Sequence, residues 1–124
     1  MQSTVEKGGI GEKAAFDYLV KNGYIILDRN FRTKYGEIDI IGKDKGYIAF
    51  IEVKSRTDFS MGLPCEAVNK YKQRRIARMA LIYIVKKKLY DCDFRFDVVE
   101  VVITDGEVKY LNLIKDAFEA DMTF

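Results

Sequence analysis

Charged side chains interrupt two apolar runs in the first half of the sequence, and their types and spacing are those of a site that could bind a metal ion. Asp39 lies within one run, and Glu52 and Lys54 lie at the end of the next. Alternate residues of a strand share a face, so Glu52 and Lys54 point the same way. Residues 43–46 (Lys-Asp-Lys-Gly) form a turn sequence that would pair the two runs as a hairpin. Two carboxylates and one ammonium are then expected to meet at one end of the hairpin.

This combination of charges is typical of a metal site. Two close carboxylates repel each other, and burying them is costly unless they pair or bind a cation. A divalent metal removes the conflict, and Mg²⁺ and Mn²⁺ favour oxygen ligands. Asp39 and Glu52 are therefore candidate ligands of Mg²⁺ or Mn²⁺. The alternative is an ordinary cross-strand salt bridge, which the Glu-x-Lys tripeptide alone favours because it is common by chance.

Two predicted helices each place one polar residue among apolar ones. Glu12 lies on the apolar stripe of the first helix and is expected to face the sheet. Its alternative role is that of an acid near a helix N-terminus, worth about 0.3–1 kcal/mol. Gln73 shares a side of the long helix with Ile76 and Ala80, and so faces inward. A buried structural amide is the alternative for Gln73.

The basic residues are concentrated in one predicted helix. Residues 67–90 hold eight of the 21 lysines and arginines and none of the 19 acids, a local charge of +8. The other 13 basic and 19 acidic residues give −6. Lys70, Arg74 and Arg78 recur every four residues and form one stripe, which predicts a polyanionic partner such as DNA. A solvated helix face is the alternative.

Arg56, two residues beyond Lys54, is a further candidate contact for nucleic acid. If the helix face is only solvated, the phosphate backbone would have to lie along a second basic route. That route consists of Arg29, Arg32, Lys34 and Arg56.

The composition excludes several other kinds of chemistry. The chain has no histidine, which rules out Ser-His-Asp and Cys-His nucleophiles and the usual zinc hydrolases. The two cysteines, Cys65 and Cys92, match no zinc spacing and are interpreted as thiols of a reducing compartment. No apolar run is long enough for a membrane span, and the first nine residues do not resemble a signal peptide. A cytoplasmic protein without a membrane partner is expected.

The apolar periodicity predicts the element order α-β-β-β-α-β-β, with one more short helix at the end. Continuous apolar runs such as 47–51 imply a sheet that is covered on both faces. The expected fold class is α/β in the α+β sense, with a mixed central sheet flanked by helices. A length of 124 residues suits a single domain, 1–124. The predicted helices are 12–22, 66–89 and 115–120, and the predicted strands are 24–31, 37–42, 47–54, 94–104 and 107–113.

Several short motifs occur in a set order between about residue 7 and residue 113. They are Lys7-Gly8-x-x-Gly11-Glu12, Gly36-Glu37-Ile38-Asp39-Ile40-Ile41, Ala49-Phe50-Ile51-Glu52-Val53-Lys54-Ser55-Arg56, Glu66-Ala67-Val68 with Lys72-Gln73-Arg74-Arg75-Ile76, and Arg95-Phe96-Asp97-Val98-Val99. This ordered set strongly resembles the bacterial YraN-like family. That family is similar to the restriction-endonuclease-like PD-(D/E)-x-K nucleases, and especially to archaeal Holliday-junction resolvases.

The resemblance implies a restriction-endonuclease-like fold and assigns roles to individual residues. It implies Asp39 and Glu52 as metal ligands and Lys54 as the catalytic lysine. Glu12 would be an accessory acid, and Gln73 a site residue carried by the long helix. Ile38 stands where the superfamily has its proline, a position at which many members vary.

The function expected from the sequence is metal-dependent hydrolysis of phosphodiester bonds in structured DNA. A module that keeps the nuclease fold and binds nucleic acid without cutting it is the second hypothesis. A protein-interaction subunit of a DNA-repair or membrane-linked assembly is the third. The sequence leaves open whether the protein is a homodimer.

Overall fold

The computed structural model describes residues 4–57 and 69–120, with side chains from residue 9 onward, and its elements follow the predicted order α-β-β-β-α-β-β. Helix α1 spans Thr4–Lys21 and helix α2 spans Lys70–Lys87. The strands are β1 (Ile25–Thr33), β2 (Gly36–Asp44), β3 (Tyr47–Arg56), β4 (Asp93–Thr104) and β5 (Glu107–Phe118). Neither helix of this described part has the length and apolar character needed to cross a membrane.

The described strands form one mixed sheet in the order β1-β2-β3-β4-β5. All neighbours are antiparallel except β3 and β4, which run parallel and are connected through α2. A parallel pair requires such a crossover, because a tight turn reverses the chain direction. The predicted β2–β3 hairpin turns at Lys45 and Gly46, both with positive φ (50° and 93°), as a two-residue hairpin turn requires.

Each face of the sheet is covered by one helix, as the apolar runs predicted. On one face, Ala15 and Leu19 of α1 pack with Ile40, Ile51 and Val99. The other face buries a second cluster, in which residues of α2 pack against β2, β3 and β4; it includes Ile76, Met79, Ala80, Tyr83, Ile41, Phe50 and Val98. Both clusters include residues of β2, β3 and β4, so these three strands lie between the two helical layers.

Helix α1 approaches the sheet closely through Gly11. A Cβ atom built on Gly11 would overlap Ser55 Oγ, so a larger residue at this contact between α1 and β3 would require the Ser55 side chain to move. The helix begins at Thr4 rather than near residue 12, and the Gly11-Glu12 motif lies inside it. The contact fixes the level at which Glu12, the next residue, meets the sheet.

Helix α2 begins and ends at residues that satisfy its terminal backbone groups. The Asn69 side chain accepts a hydrogen bond from the Lys72 N–H at 2.9 Å, so α2 begins at Lys70 and not near residue 66. Lys88 adopts the left-handed conformation, and the Leu89 N–H donates to the Ile84 carbonyl at 2.9 Å. The helix therefore ends at Lys87, two residues earlier than predicted.

The prediction of a terminal helix over residues 115–120 is wrong. Strand β5 continues to Phe118, with a register shift between the pairs Val98↔Ile114 and Phe96↔Phe118. Asp116 takes a positive φ of 54° at this irregularity, and the Phe118 ring stacks on Phe96 with centroids 5.0 Å apart. Packing on β4 thus overrides the local helix preference of this segment.

The two cysteines have different outcomes. Cys92 is a free, half-buried thiol that packs against the cluster under α2. Cys65 lies outside the described residues, as do residues 66–68, at which the long helix was predicted to begin.

Candidate active site

The candidate site lies where β2 and β3 separate. Their ladder runs from Asp44↔Tyr47 to Ile40↔Ile51, and the described pairs of β2 with β3 stop there. Just beyond, Asp39 Oδ2 accepts the backbone N–H of Val53 at 2.8 Å. A side-chain carboxylate therefore replaces a backbone carbonyl at the opening between the two strands. This contact fixes the Asp39 carboxylate beside the strand that carries Glu52 and Lys54, as the hairpin register predicted.

Three carboxylates converge at this opening from two elements, α1 and β2. Glu12 of α1 and Glu37 and Asp39 of β2 each offer an oxygen, and these oxygens lie within 4.8 Å of one another. The Asn30 amide donates to Glu37 Oε1 at 2.8 Å and to Glu12 Oε2 at 3.2 Å. The half-buried oxygens of this group could hold a divalent cation.

Asp39 is the most perturbed acid of the site. Its burial and the nearby charge of Glu52 raise the pKa of Asp39 from 3.8 to about 8, and Glu12 and Glu37 act in the same direction. The hydrogen bond from Val53 favours the charged form but offsets only part of this increase in pKa. Within the described chain Asp39 forms no salt bridge, so no protein cation offsets its charge directly.

Lys54 lies between a carboxylate and a second ammonium. Its Nζ is 3.1 Å from Glu52 Oε1, and both side chains are largely buried, with 21% and 18% exposure. Lys72 of α2 lies within hydrogen-bonding reach of Lys54, and this contact, together with the charge of Lys54, lowers the pKa of Lys72. The salt-bridge alternative is therefore realised for Glu52 and Lys54, although within one strand rather than across two. It does not account for Asp39 or for the contact between the two lysines.

Two residues of this site were missed from the sequence. Glu37 shares a strand face with Asp39 by alternation, so the period that places Asp39 at the site places Glu37 there as well. Lys72 lies four residues before Ile76 on the inward side of α2, so helical periodicity could have placed it at the sheet. Gln73, which was assigned to the site, is half-buried in the first turn of α2 beside Lys72.

The predicted basic stripe lies on the exposed side of α2. Lys70, Arg74 and Arg78 are all exposed. The turn between β1 and β2 adds Lys34 and Tyr35 to this surface. Lys34 was predicted to belong to the second basic route, and Tyr35 was not predicted to be a site residue. The two segments form a cleft of about 520 Å³ whose lining is Lys34, Tyr35, Tyr71, Arg74, Arg75 and Arg78. Arg56 is half-buried at the end of β3, on the side of Lys54 rather than on the helix.

A second charged cluster, at the other end of β2, is internally satisfied. Arg95 donates to Asp97 at 2.9 Å and to Asp44 at 2.6 Å, and Lys115 also reaches Asp44 at 2.9 Å. Burial alone would raise the pKa of Asp44, but the hydrogen bonds from Arg95 and Lys115 lower it overall. Asp97 is fully buried and also accepts from Tyr24 and from the Asp116 N–H. This network connects β4 and β5 to Asp44 at the turn end of the β2–β3 hairpin, and its charges are paired, unlike that of Asp39.

Comparison with known protein families gives a match that covers the residues of the site. A family model described as "Uncharacterised protein family UPF0102" matches residues 11–101, which include the carboxylates, Lys54 and Lys72. The chain belongs to this family. The expected resemblance to YraN-like proteins is thereby confirmed at the level of the family.

Relatives in this family are similar over nearly their whole length. A UPF0102 protein of Clostridium tetani is 54% identical over 113 residues, which cover 90% of this chain and 93% of the relative. A UPF0102 protein of Clostridium kluyveri is 53% identical with the same coverage. A UPF0102 protein of Trichlorobacter lovleyi is 49% identical, covering 90% of this chain and 89% of the relative. Membership of UPF0102 assigns no chemistry to the site, so the geometry of the site is the basis for a function.

Proposed function

We propose that this protein is a metal-dependent endonuclease that hydrolyses phosphodiester bonds of structured DNA in the cytoplasm, in the manner of a Holliday-junction resolvase. One observation carries the proposal. Like charges lie together twice at the end of β2 and β3, once as the carboxylates around Asp39 and once as the ammoniums of Lys54 and Lys72. The carboxylates around Asp39 repel one another, and the ion pair with Glu52 offsets the charge of only one of the two ammoniums. A divalent cation and a phosphodiester are the two counterions that suit the pair.

The donors around Asp39 fit Mg²⁺ or Mn²⁺. All of them are carboxylate oxygens, which these hard cations prefer, and the group contains no histidine or thiolate that would select a softer metal. Asp39 and Glu52 are the proposed ligands, with Glu12 and Glu37 close enough to ligate directly or to orient a coordinated water. The elevated pKa of Asp39 supports this assignment, because a bound cation would restore its charged form.

The residues of the chain divide the reaction between them. Asp39 and Glu52 would hold the Mg²⁺ or Mn²⁺, and the ion would supply Lewis-acid polarisation of the phosphate and acidification of a water. Lys54 orients the attacking water and offsets the negative charge that grows on the phosphoryl oxygens. Lys72 lies beside Lys54 and binds the same phosphate, which relieves the repulsion between the two ammoniums. The exposed arginines of α2 hold the flanking backbone and carry no base specificity.

A module that binds nucleic acid without cutting it is the second candidate. The Lys54–Glu52 ion pair favours this interpretation, because it neutralises both residues without a metal. The two candidates differ in one measurable property, which is whether strand scission requires both Lys54 and a divalent cation.

A cleavage panel tests the proposal. Continuous duplex, flap, single-stranded and four-way DNA are incubated with the full chain and Mg²⁺, Mn²⁺ or EDTA. We expect cleavage of at least one branched substrate that EDTA abolishes and that Lys54→Ala reduces by about 100-fold or more. Lys21→Ala, an exposed lysine at the end of α1, is the matched control and should cut like the wild type. Binding without any metal-dependent scission on the whole panel would favour the non-catalytic module.

A further inference from the structure

The cleft between the β1–β2 turn and α2 combines cations with two aromatic rings. Its described lining has four cations, two tyrosines and no acid. Its volume of about 520 Å³ lies within the range of pockets that enclose small-molecule ligands, roughly 300–1,000 Å³. A surface that binds only the phosphate backbone needs cations alone, so Tyr35 and Tyr71 indicate a further role for the cleft.

The two rings are held in different ways. Tyr35 is half-buried, with the Arg78 guanidinium 5.0 Å and the Lys34 ammonium 5.3 Å from its ring centroid. Tyr71 is 75% exposed, with the Arg75 guanidinium 6.0 Å from its centroid. An exposed ring flanked by a guanidinium offers a flat face on which a nucleobase can stack. Two cations lie over the half-buried ring of Tyr35, so the more exposed ring of Tyr71 is the one on which a base can stack.

The cleft adjoins the proposed catalytic lysine. Lys72, which interacts with Lys54, also interacts with the charge of Arg75 in the lining of the cleft. Arg75 lies three residues after Lys72, less than one helical turn further along α2. A strand whose scissile phosphate lies at Lys54 would therefore place a neighbouring nucleotide at the cleft.

We propose that this cleft binds one unstacked nucleotide of the DNA strand, with its base on Tyr71 and its phosphate on the arginines of α2. The inference rests on the proposed function and adds the subsite through which structured DNA would be preferred over continuous duplex. A base inside a continuous duplex is stacked on both sides and offers no free face, so it can occupy the cleft only after unpairing. The protein thus prefers DNA that is already unpaired next to the cut, at a junction, flap or bulge, over continuous duplex.

Binding measured in EDTA tests the cleft without any need for cleavage. The probes are a continuous duplex and the same duplex with one unpaired 2-aminopurine, whose fluorescence falls when it stacks. We expect the full chain to bind the second DNA about tenfold tighter or more and to quench the 2-aminopurine. Tyr71→Ala should remove both effects, and Tyr71→Phe, which keeps the ring, should retain them. Tyr90→Ala is the control, because Tyr90 is 65% exposed near the other end of the same helix.

Each outcome decides between the cleft and the wider proposal. Equal affinity of the wild type for the two DNAs, or a preference that survives Tyr71→Ala, overturns the cleft assignment. If Mg²⁺-dependent and Lys54-dependent cleavage is nevertheless seen, the endonuclease proposal stands without the cleft. If the wild type binds neither DNA, both proposals fail together.

Discussion

The raised pKa of Asp39 predicts that the metal-free protein loses stability as the pH rises. In the folded state Asp39 holds its proton up to about pH 8, whereas in the unfolded chain it releases the proton near its ordinary pKa of 3.8. Between these values the folded state binds more protons than the unfolded state, so the free energy of unfolding falls with increasing pH. The largest slope from one such group is about 1.4 kcal/mol per pH unit.

The expected magnitude is smaller than this limit because the neighbouring carboxylates share the effect. We expect a loss of about 2 kcal/mol between pH 5 and pH 8 in EDTA. The free energy of unfolding of Asp39→Asn should not change across this range, except for the contributions of other titrating groups. The variant should also be more stable than the wild type at pH 8. The amide oxygen that Asp39→Asn introduces could still accept the Val53 N–H, so the variant keeps the hydrogen bond while losing the charge. Urea unfolding at a series of pH values measures both curves.

Addition of Mn²⁺ supplies the second half of this experiment. A ligand present at about 100 times its Kd stabilises the folded state by about 2.7 kcal/mol. Protons compete with the metal for Asp39, so this gain should be larger at pH 8 than at pH 5. It should be lost in Asp39→Asn and kept in Asp17→Asn, an exposed carboxylate of α1. Stability that rises with pH in EDTA, or an equal Mn²⁺ response in Asp39→Asn, would refute the reasoning.

Three further predictions concern other parts of the molecule. Lys54→Ala should lose cleavage but keep most DNA affinity, because it removes one of many phosphate contacts; if kcat and affinity fall together, Lys54 is an anchor. Replacing Lys70, Arg74 and Arg78 by Gln should make the dependence of log K on log salt shallower by roughly 0.9 per charge on duplex DNA, with an unchanged Tm. An unaltered salt slope would mean that this face is only solvated. Arg95→Met should cost about 3–5 kcal/mol in urea unfolding, because it leaves buried carboxylates unpaired; a loss below about 1 kcal/mol would contradict that.

The parts of the fold that follow from local patterns were predictable. Alternation and the Lys45-Gly46 turn were sufficient to pair β2 with β3 and to bring Asp39 to the strand of Glu52. The limits of this reasoning appear where tertiary contacts decide. Strand β5 continues past residue 114 because Phe118 packs on Phe96 of the neighbouring strand. No property of the local sequence indicates this contact.

The charged residues of the site were predictable from the sequence, whereas the residues that surround them were not. Glu12, Asp39 and Lys54 interrupt apolar patterns, so they were conspicuous in the sequence. Asn30, which donates to two of the carboxylates, takes a positive φ of 53° that a strand pattern does not suggest. The cleft was missed because Tyr35 and Tyr71 are far apart in sequence and meet only when the β1–β2 turn packs against α2.

The separation of β2 and β3 gives Asp39 a structural role that can be distinguished from its chemical one. Beyond Ile40, β2 continues along β1 to Gly36, while β3 continues along β4 to Arg56, so the two strands diverge. The Val53 N–H lies at this divergence and is satisfied by Asp39 Oδ2. Asp39→Ala would remove that acceptor as well as the charge.

Leaving a partly buried N–H without an acceptor costs about 1–3 kcal/mol, whereas removing the carboxylate repulsion stabilises the protein at pH 8. Asp39→Ala should therefore be less stable than Asp39→Asn by about 1–3 kcal/mol at every pH, while both variants lose the Mn²⁺ response. Parallel pH–urea series on the two variants measure the difference. Equal stability of the two would show that the Val53 hydrogen bond contributes nothing to the opening. In that case the position of the Asp39 carboxylate would have to be set by its carboxylate neighbours and a bound cation alone.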